Sequence, residues 1–313
     1  MTGGVERKPV RVFSTSQGSR LDSFGLVEWA MLIGIALIWG SSFLLIEISL
    51  ESLQPAVITW LRSTLGFLAL TVVPAAREPL ERVDHPKVAV IGVLWLVVPL
   101  SMFPIAQQHI DSALAGMLNA SVPIFGALVA SVLLRSLPRV HQAVGIALGF
   151  AGAATLSLPE AVGSSAVAWG VSLVLLATFC YGTAMNLAVP LQQRYGAPAL
   201  MMRALAVASV ITAPFGLAGL SGSQWDVVPV VAVVVLGVVN TGAAFAIMAA
   251  LAGRAGATRA GTAVYCIPIV SMVLGMAFNS EVVLPVQWAG IAIVLFGAWL
   301  TSRREHAIIR RIR

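Results

Sequence analysis

An all-α integral membrane protein, with ten transmembrane helices as two inverted five-helix repeats, is the expectation this 313-residue sequence raises. Three observations raise it. Hydrophobic residues make up 58% of the chain and charged residues 10%, with a mean hydropathy of +0.93, which is more apolar surface than a soluble domain of this length can hide. Apolar runs of roughly 20 residues, enough helix to cross a hydrocarbon core of about 30 Å, recur ten times. Two stretches 145 positions apart also superpose without a gap. Ala115, Gly116, Pro123, Ile124, Gln142, Gly145, Ile146, Ala147, Gly152, Ala153 and Ser157 fall on Ala260, Gly261, Pro268, Ile269, Gln287, Gly290, Ile291, Ala292, Gly297, Ala298 and Ser302. Apolar bias would match Leu, Val and Ala. Identities on Gly, Pro and Gln mark bends and close approaches, so the chain reads as a duplicated unit. In a membrane protein such a duplication builds two half-bundles facing each other across a solute path.

Residues 1–25 are polar, contain no apolar segment and are expected to be a disordered cytoplasmic tail. The first repeat, 26–158, then holds spans near 26–50, 55–76, 87–108, 111–134 and 140–158. The first is too long for a cleavable signal peptide and lacks a small-residue cleavage site. Pro55 opens the second, and Pro123 sits mid-depth in the fourth. Gly145, Gly149 and Gly152 give the fifth a small-residue stripe suited to close helix packing. The second repeat, 166–302, holds spans near 166–189, 197–220, 227–251, 256–279 and 285–302. Pro268 lies mid-depth in the ninth, and Gly290 and Gly297 repeat the packing stripe in the tenth. Cys180 and Cys266 fall inside spans with no metal-spaced neighbours and are read as small packing residues. Residues 303–313 form a basic tail expected to rest on anionic lipid.

Charge fixes the expected orientation, because short cytoplasmic loops retain Lys and Arg. With both termini cytoplasmic, every basic residue except Arg62 and Arg203 lies in an inner loop or tail. The outer loops carry Glu51, Asp111, Glu160, Asp226 and Glu281 without a Lys or Arg. A wrong number of crossings would scatter that pattern. The same spread over separate segments argues against nucleic acid as a partner, despite the +6 net charge.

An odd number of helices per repeat inverts the second against the first, so polar residues serving a central cavity belong near mid-depth in paired helices. Trp39-Gly40-Ser41 in the first span answers Tyr181-Gly182-Thr183 in the sixth. Pro123 and Pro268 each free the carbonyl four residues earlier, at Asn119 and Val264. The expected lining is apolar and aromatic with a few amides: Trp39, Trp60, Met102, Asn119, Tyr181, Asn186, Asn240 and Tyr265. Each taken singly could be a packing residue, and the symmetric pairing favours a cavity.

Intramembrane charge is costly and marks function; only Glu47, Arg62 and Arg203 qualify. Arg62 or Arg203 could draw an anionic group such as an amino-acid carboxylate into the cavity, with Glu47 as a proton or amine site. Alternatively Glu47 and Arg62 form a structural pair. Arg203 is read as snorkelling to the cytoplasmic interface.

The string Trp39-Gly40-Ser41-Ser42-Phe43, Arg62 after the Pro55-opened span, and Pro123 resemble the first repeat of the EamA-type branch of the drug/metabolite transporter superfamily. Arg254-Ala255-Gly256-Ala257-Thr258-Arg259-Ala260, Pro268 and Gln287 to Gly290 are similar to its second repeat. The resemblance covers about residues 26–302. It implies an inner-membrane exporter of amino acids or other metabolites, alternately open to each side, with no cofactor or metal. In that family an acidic residue commonly stands just before the last helix of both repeats. Here Ser136 occupies the first position and Glu281 the second, so the acid is not required in both halves.

Few cavity cations speak against phosphate esters as solutes. A membrane-embedded enzyme would need clustered His, Asp or Glu, whereas the spans hold no aspartate, no HExxH and no GxSxG. A passive channel or scaffold of the same fold stays open as an alternative, and so does proton coupling through Glu47.

Overall fold

The computed structural model describes residues 25–133, 135, 138, 140–161, 165–255 and 260–302. Both charged tails, Ser136, Arg139 and the Gly256–Arg259 part of the motif above lie outside them. The described residues form helices and turns with no strand, the arrangement lipid requires when every backbone polar group must be satisfied within its own segment. Among them, six helices are long and apolar enough to cross a bilayer: Leu26–Leu50, Arg82–Ala106, Ser112–Leu133, Ser165–Tyr195, Ala197–Gly222 and Val227–Ala252. Shorter apolar helices cover Val140–Leu156, Ala263–Phe278 and Pro285–Leu300.

Helix α1 spans Leu26–Leu50 and α2 spans Pro55–Thr71, where Pro55 supplies a preset φ at a position whose N–H would be unpaired anyway. A link with two 3₁₀ turns, Pro74–Arg77 and Arg82–Asp84, leads to α3, His85–Gly92. A π-helical turn, Val93–Val97, joins it to α4, Val98–Ala106. The fourth expected span is broken into α5, Ser112–Asn119, and α6, Val122–Leu133; Pro123 does not kink a continuous helix but opens a new one. Next come α7, Val140–Ala161, and α8, Ser165–Tyr195. Gly196, with φ of 81°, turns the chain into α9, Ala197–Gly219.

The second half repeats these irregularities. Helix α10, Val227–Gly237, passes through a π turn, Val238–Ala243, into α11, Ala244–Ala255. The 3₁₀ segment Gly261–Cys266 precedes α12, Ile267–Phe278, opened by Pro268, and α13, Pro285–Ser302, follows. The π turns start at Val93 and Val238, and the reopened helices at Val122 and Ile267. Both pairs keep the 145-residue interval.

Packing follows the same correspondence. Helix α7 packs on α13 and α2 on α9; α8 packs on α4 and α6, and α1 on α10, α11 and α12, whereas α5 packs on α12 without this correspondence. Small residues set the closest approaches. A Cβ on Gly152 would meet Val294 N at 2.7 Å and Gly290 O at 2.9 Å, and one on Gly297 would meet Gly145 O at 2.7 Å. Likewise Gly40 abuts Val270 and Ile267 O, while Gly182 abuts Phe125 and Gly126.

The face where α1 begins is tied by charge. Arg254 pairs with Glu28 at 2.6 Å, and the buried Asp84 carboxylate accepts from Lys87 at 2.7 Å, Arg194 at 3.0 Å and the Tyr195 hydroxyl at 2.8 Å. Arg203 donates to the carbonyls of Ala76 and Arg77 on this basic face.

Candidate functional site

Arg62 lies on α2 with 8% of its surface exposed. Its Nε donates to Thr241 Oγ1 at 3.0 Å, and Thr241 sits in the π turn Val238–Ala243. A π turn displaces one residue from the helical register and is frequent at functional sites. Here it aims the Thr241 hydroxyl at the guanidinium while that hydroxyl also donates to Leu236 O at 2.8 Å. The terminal guanidinium nitrogens of Arg62 have no hydrogen-bond acceptor among the described residues, and they are not sealed from open space. The Tyr181 side chain lies within electrostatic range of that guanidinium.

This arrangement does not satisfy the charge. Burying a charge without an opposite charge beside it is costly, and one bond to a neutral hydroxyl returns about 1 kcal/mol. Arg62 therefore calls for water or an anion at its free nitrogens. The Tyr181 hydroxyl and the Asn119 amide are likewise without protein partners among the described residues, although Asn119 is only 8% exposed. Buried polar groups in this state face water or a ligand.

Aromatic rings pack on Tyr181 and Trp39. Tyr181 stacks on Phe103 at 6.0 Å between centroids, and Phe103 meets Phe43 edge-on at 5.4 Å. Trp39 meets Phe245 at 5.8 Å, and Phe245 meets Trp95 at 6.4 Å. Phe43 entered the sequence reading only as the end of the Trp39–Phe43 string, and Phe103, Phe245 and Trp95 were not singled out, because an aromatic in an apolar span looks like bulk.

The other sequence candidates are committed to helix packing. Asn240, 2% exposed, donates through Nδ2 to Ile38 O and lies 3.1 Å from the hydroxyls of both Ser41 and Ser42, and its own carbonyl accepts from Trp39 Nε1 at 3.2 Å. Asn186 donates to Gly126 O at 2.9 Å and Gly182 O at 2.8 Å. Tyr265 donates to Ala298 O at 3.0 Å. Trp60 lies against Gly216. Pro123 and Pro268 stand in the first turn of α6 and α12.

Glu47 and Arg62 do not pair with each other. Glu47 Oε1 accepts from Asn279 Nδ2, and Oε2 is buried without a partner. The sequence left this pairing open because both side chains are long; the register of α1 against α12 decides it.

The EamA-like transporter family model matches residues 27–158 and again 168–303. An uncharacterized transporter of Archaeoglobus fulgidus is 24% identical over 278 residues, 89% of this chain and 99% of that protein. The uncharacterized inner membrane transporter YedA of Escherichia coli K12 is 26% identical over 281 residues, 87% of this chain and 89% of that one. A protein of Streptantibioticus cattleyicolor named a probable terminal-alkyne amino-acid exporter is 25% identical over 280 residues, covering 88% and 93%. With its apolar helices and a family match in both halves, the chain belongs to the EamA-like transporter family.

Proposed function

We propose that this chain is an alternating-access exporter in the inner membrane for a small amphipathic metabolite such as an amino acid. In this reading ten helices form two inverted repeats, 26–158 and 166–302, with both termini cytoplasmic and the basic face inside. The recurrence of the π turns, reopened helices and glycine contacts at one interval supports the repeat. The observation that carries the solute class is Arg62: a nearly buried guanidinium whose terminal donors have no acceptor among the described residues, within electrostatic range of Tyr181, which itself stacks on Phe103. A carboxylate would take the two free donors in a fork geometry. The aromatic rings would receive a side chain. The exporter name carried by the Streptantibioticus cattleyicolor relative agrees with such a solute. Glu47, with one carboxylate oxygen unpartnered, is the proposed proton site if transport is coupled.

Counterflow in proteoliposomes tests this. Labelled neutral amino acids should accumulate transiently against an opposing unlabelled gradient, and Glu47→Gln should remove any acceleration by a pH gradient. Flux without counterflow would indicate a channel, and absence of flux for every amino acid would remove the solute class.

A further inference from the structure

We infer that Glu281 is a latch holding the acidic face closed, and that Ser136 at the equivalent position of the other half biases the protein toward the conformation open on the basic face. This rests on the alternating-access reading. Glu281 stands in the link between α12 and α13, yet its carboxylate closes on the start of α5, 169 residues earlier in the chain. Oε1 accepts from the Ser112 hydroxyl and, at 3.2 Å, from the Ser112 N–H; Oε2 accepts from the Ala113 N–H at 2.9 Å. These are charge-assisted bonds at the positive end of a helix.

The link is held in place from its own side. The Glu281 N–H donates to Gly275 O at 3.2 Å, and a Cβ at Gly275 would collide with the Glu281 carboxylate. Asn279 Nδ2 donates to Glu47 on α1 and lies 3.4 Å from Glu281 Oε1.

The latch therefore spans two helix groups, one of α1, α10, α11 and α12, the other of α4, α5, α6 and α8. On this face the groups also meet directly, α5 against α12, with Gly116 at Ser271. Beyond the helix breaks they part: α6 packs on α7, α8 and α13, whereas the turn Gly261–Cys266 packs on α1 and α12.

In an inverted repeat the opposite conformation exchanges the roles of the halves, so the partner latch belongs at the position 145 residues before Glu281. That position is Ser136, which carries no carboxylate. The two conformations then differ by one set of charge-assisted bonds, present only when the acidic face is shut.

The test places spin labels at His109→Cys and Ser280→Cys, both exposed on the links flanking the latch, in full-length protein with Cys180→Ala and Cys266→Ala in nanodiscs. The parent should show one short distance. Glu281→Gln should raise a long-distance population about tenfold, the change that a lost bond of roughly 1.4 kcal/mol produces. Ser136→Glu, which leaves the existing latch intact, should raise the same population. Unchanged distances in both variants, with thermal melts showing folded protein, would overturn the latch. Wild-type counterflow read in parallel separates the two ideas: counterflow with unchanged distances removes the latch alone. Shifted distances without counterflow sustain the latch and remove the carrier reading.

Discussion

The hydroxyls of Thr64 on α2 and Ser209 on α9 lie 2.7 Å apart, and the two residues are separated by 145 positions, the interval of the duplication. A residue can touch its own counterpart only where equivalent helices cross on the axis relating the halves, as α2 and α9 would under the proposed symmetry. The contact should therefore couple the halves. Thr64→Val with Ser209→Val should give a double-mutant coupling of about 0.6 kcal/mol, typical of interhelical side-chain hydrogen bonds in membranes, read by unfolding in mixed micelles.

Gly152 and Gly297 carry a larger share of the pairing of α7 with α13. Each places its missing Cβ within 2.9 Å of backbone atoms on the opposite helix, and backbone cannot rotate away as a side chain can. Ala at either position should destabilise the protein by about 1–3 kcal/mol through overpacking. Gly34, whose Cβ would meet nothing within 4 Å, is the control: Gly34→Ala should leave the melting temperature unchanged.

Arg62 should separate stability from transport. Arg62→Met removes a buried charge that one bond to a neutral hydroxyl repays poorly, so the melting temperature should hold or rise. Solute uptake should fall at least about tenfold. Arg62→Lys should also fall, because an ammonium cannot supply the two-pronged geometry of a guanidinium. A purely structural arginine would lose stability and transport together.

Much of the scaffold was legible before any coordinates. Length and hydropathy located the apolar segments, and glycines and prolines at a fixed interval pointed to the residues that now make the closest contacts. The π turns were not legible, because a one-residue bulge leaves the apolar character of Val93–Val97 and Val238–Ala243 unchanged. Glu281 was visible as the family acid that the first repeat lacks, but its partners Ser112 and Ala113 are brought to it by tertiary packing that no local pattern encodes. Asn119 and Asn240 looked alike in sequence, since both are amides in apolar runs. Only the packed structure shows that, among the described residues, the Asn119 amide has no partner and the Asn240 amide is committed.

That difference gives the last prediction. Asn240 ties the π turn to α1 by a donor to Ile38 O, with the Ser41 and Ser42 hydroxyls also within 3.1 Å; Asn240→Ala removes this tie, although both serine hydroxyls still donate to Ile38 O, and should cost about 1 kcal/mol. Asn119 has no protein partner among the described residues, so Asn119→Ala deletes nothing the fold uses. Its melting temperature should stay within about 2 °C of the parent, because a substitution with no buried partner falls within about 0.5 kcal/mol and a chain of this size shifts by about 2–4 °C per kcal/mol. Its transport KM should rise about three- to tenfold if the amide meets solute, the loss of one neutral hydrogen bond. Melting curves and counterflow on the two variants decide it. A stable Asn240→Ala, or an Asn119→Ala with parental KM, would show that the division between packing amide and cavity amide is drawn at the wrong residue.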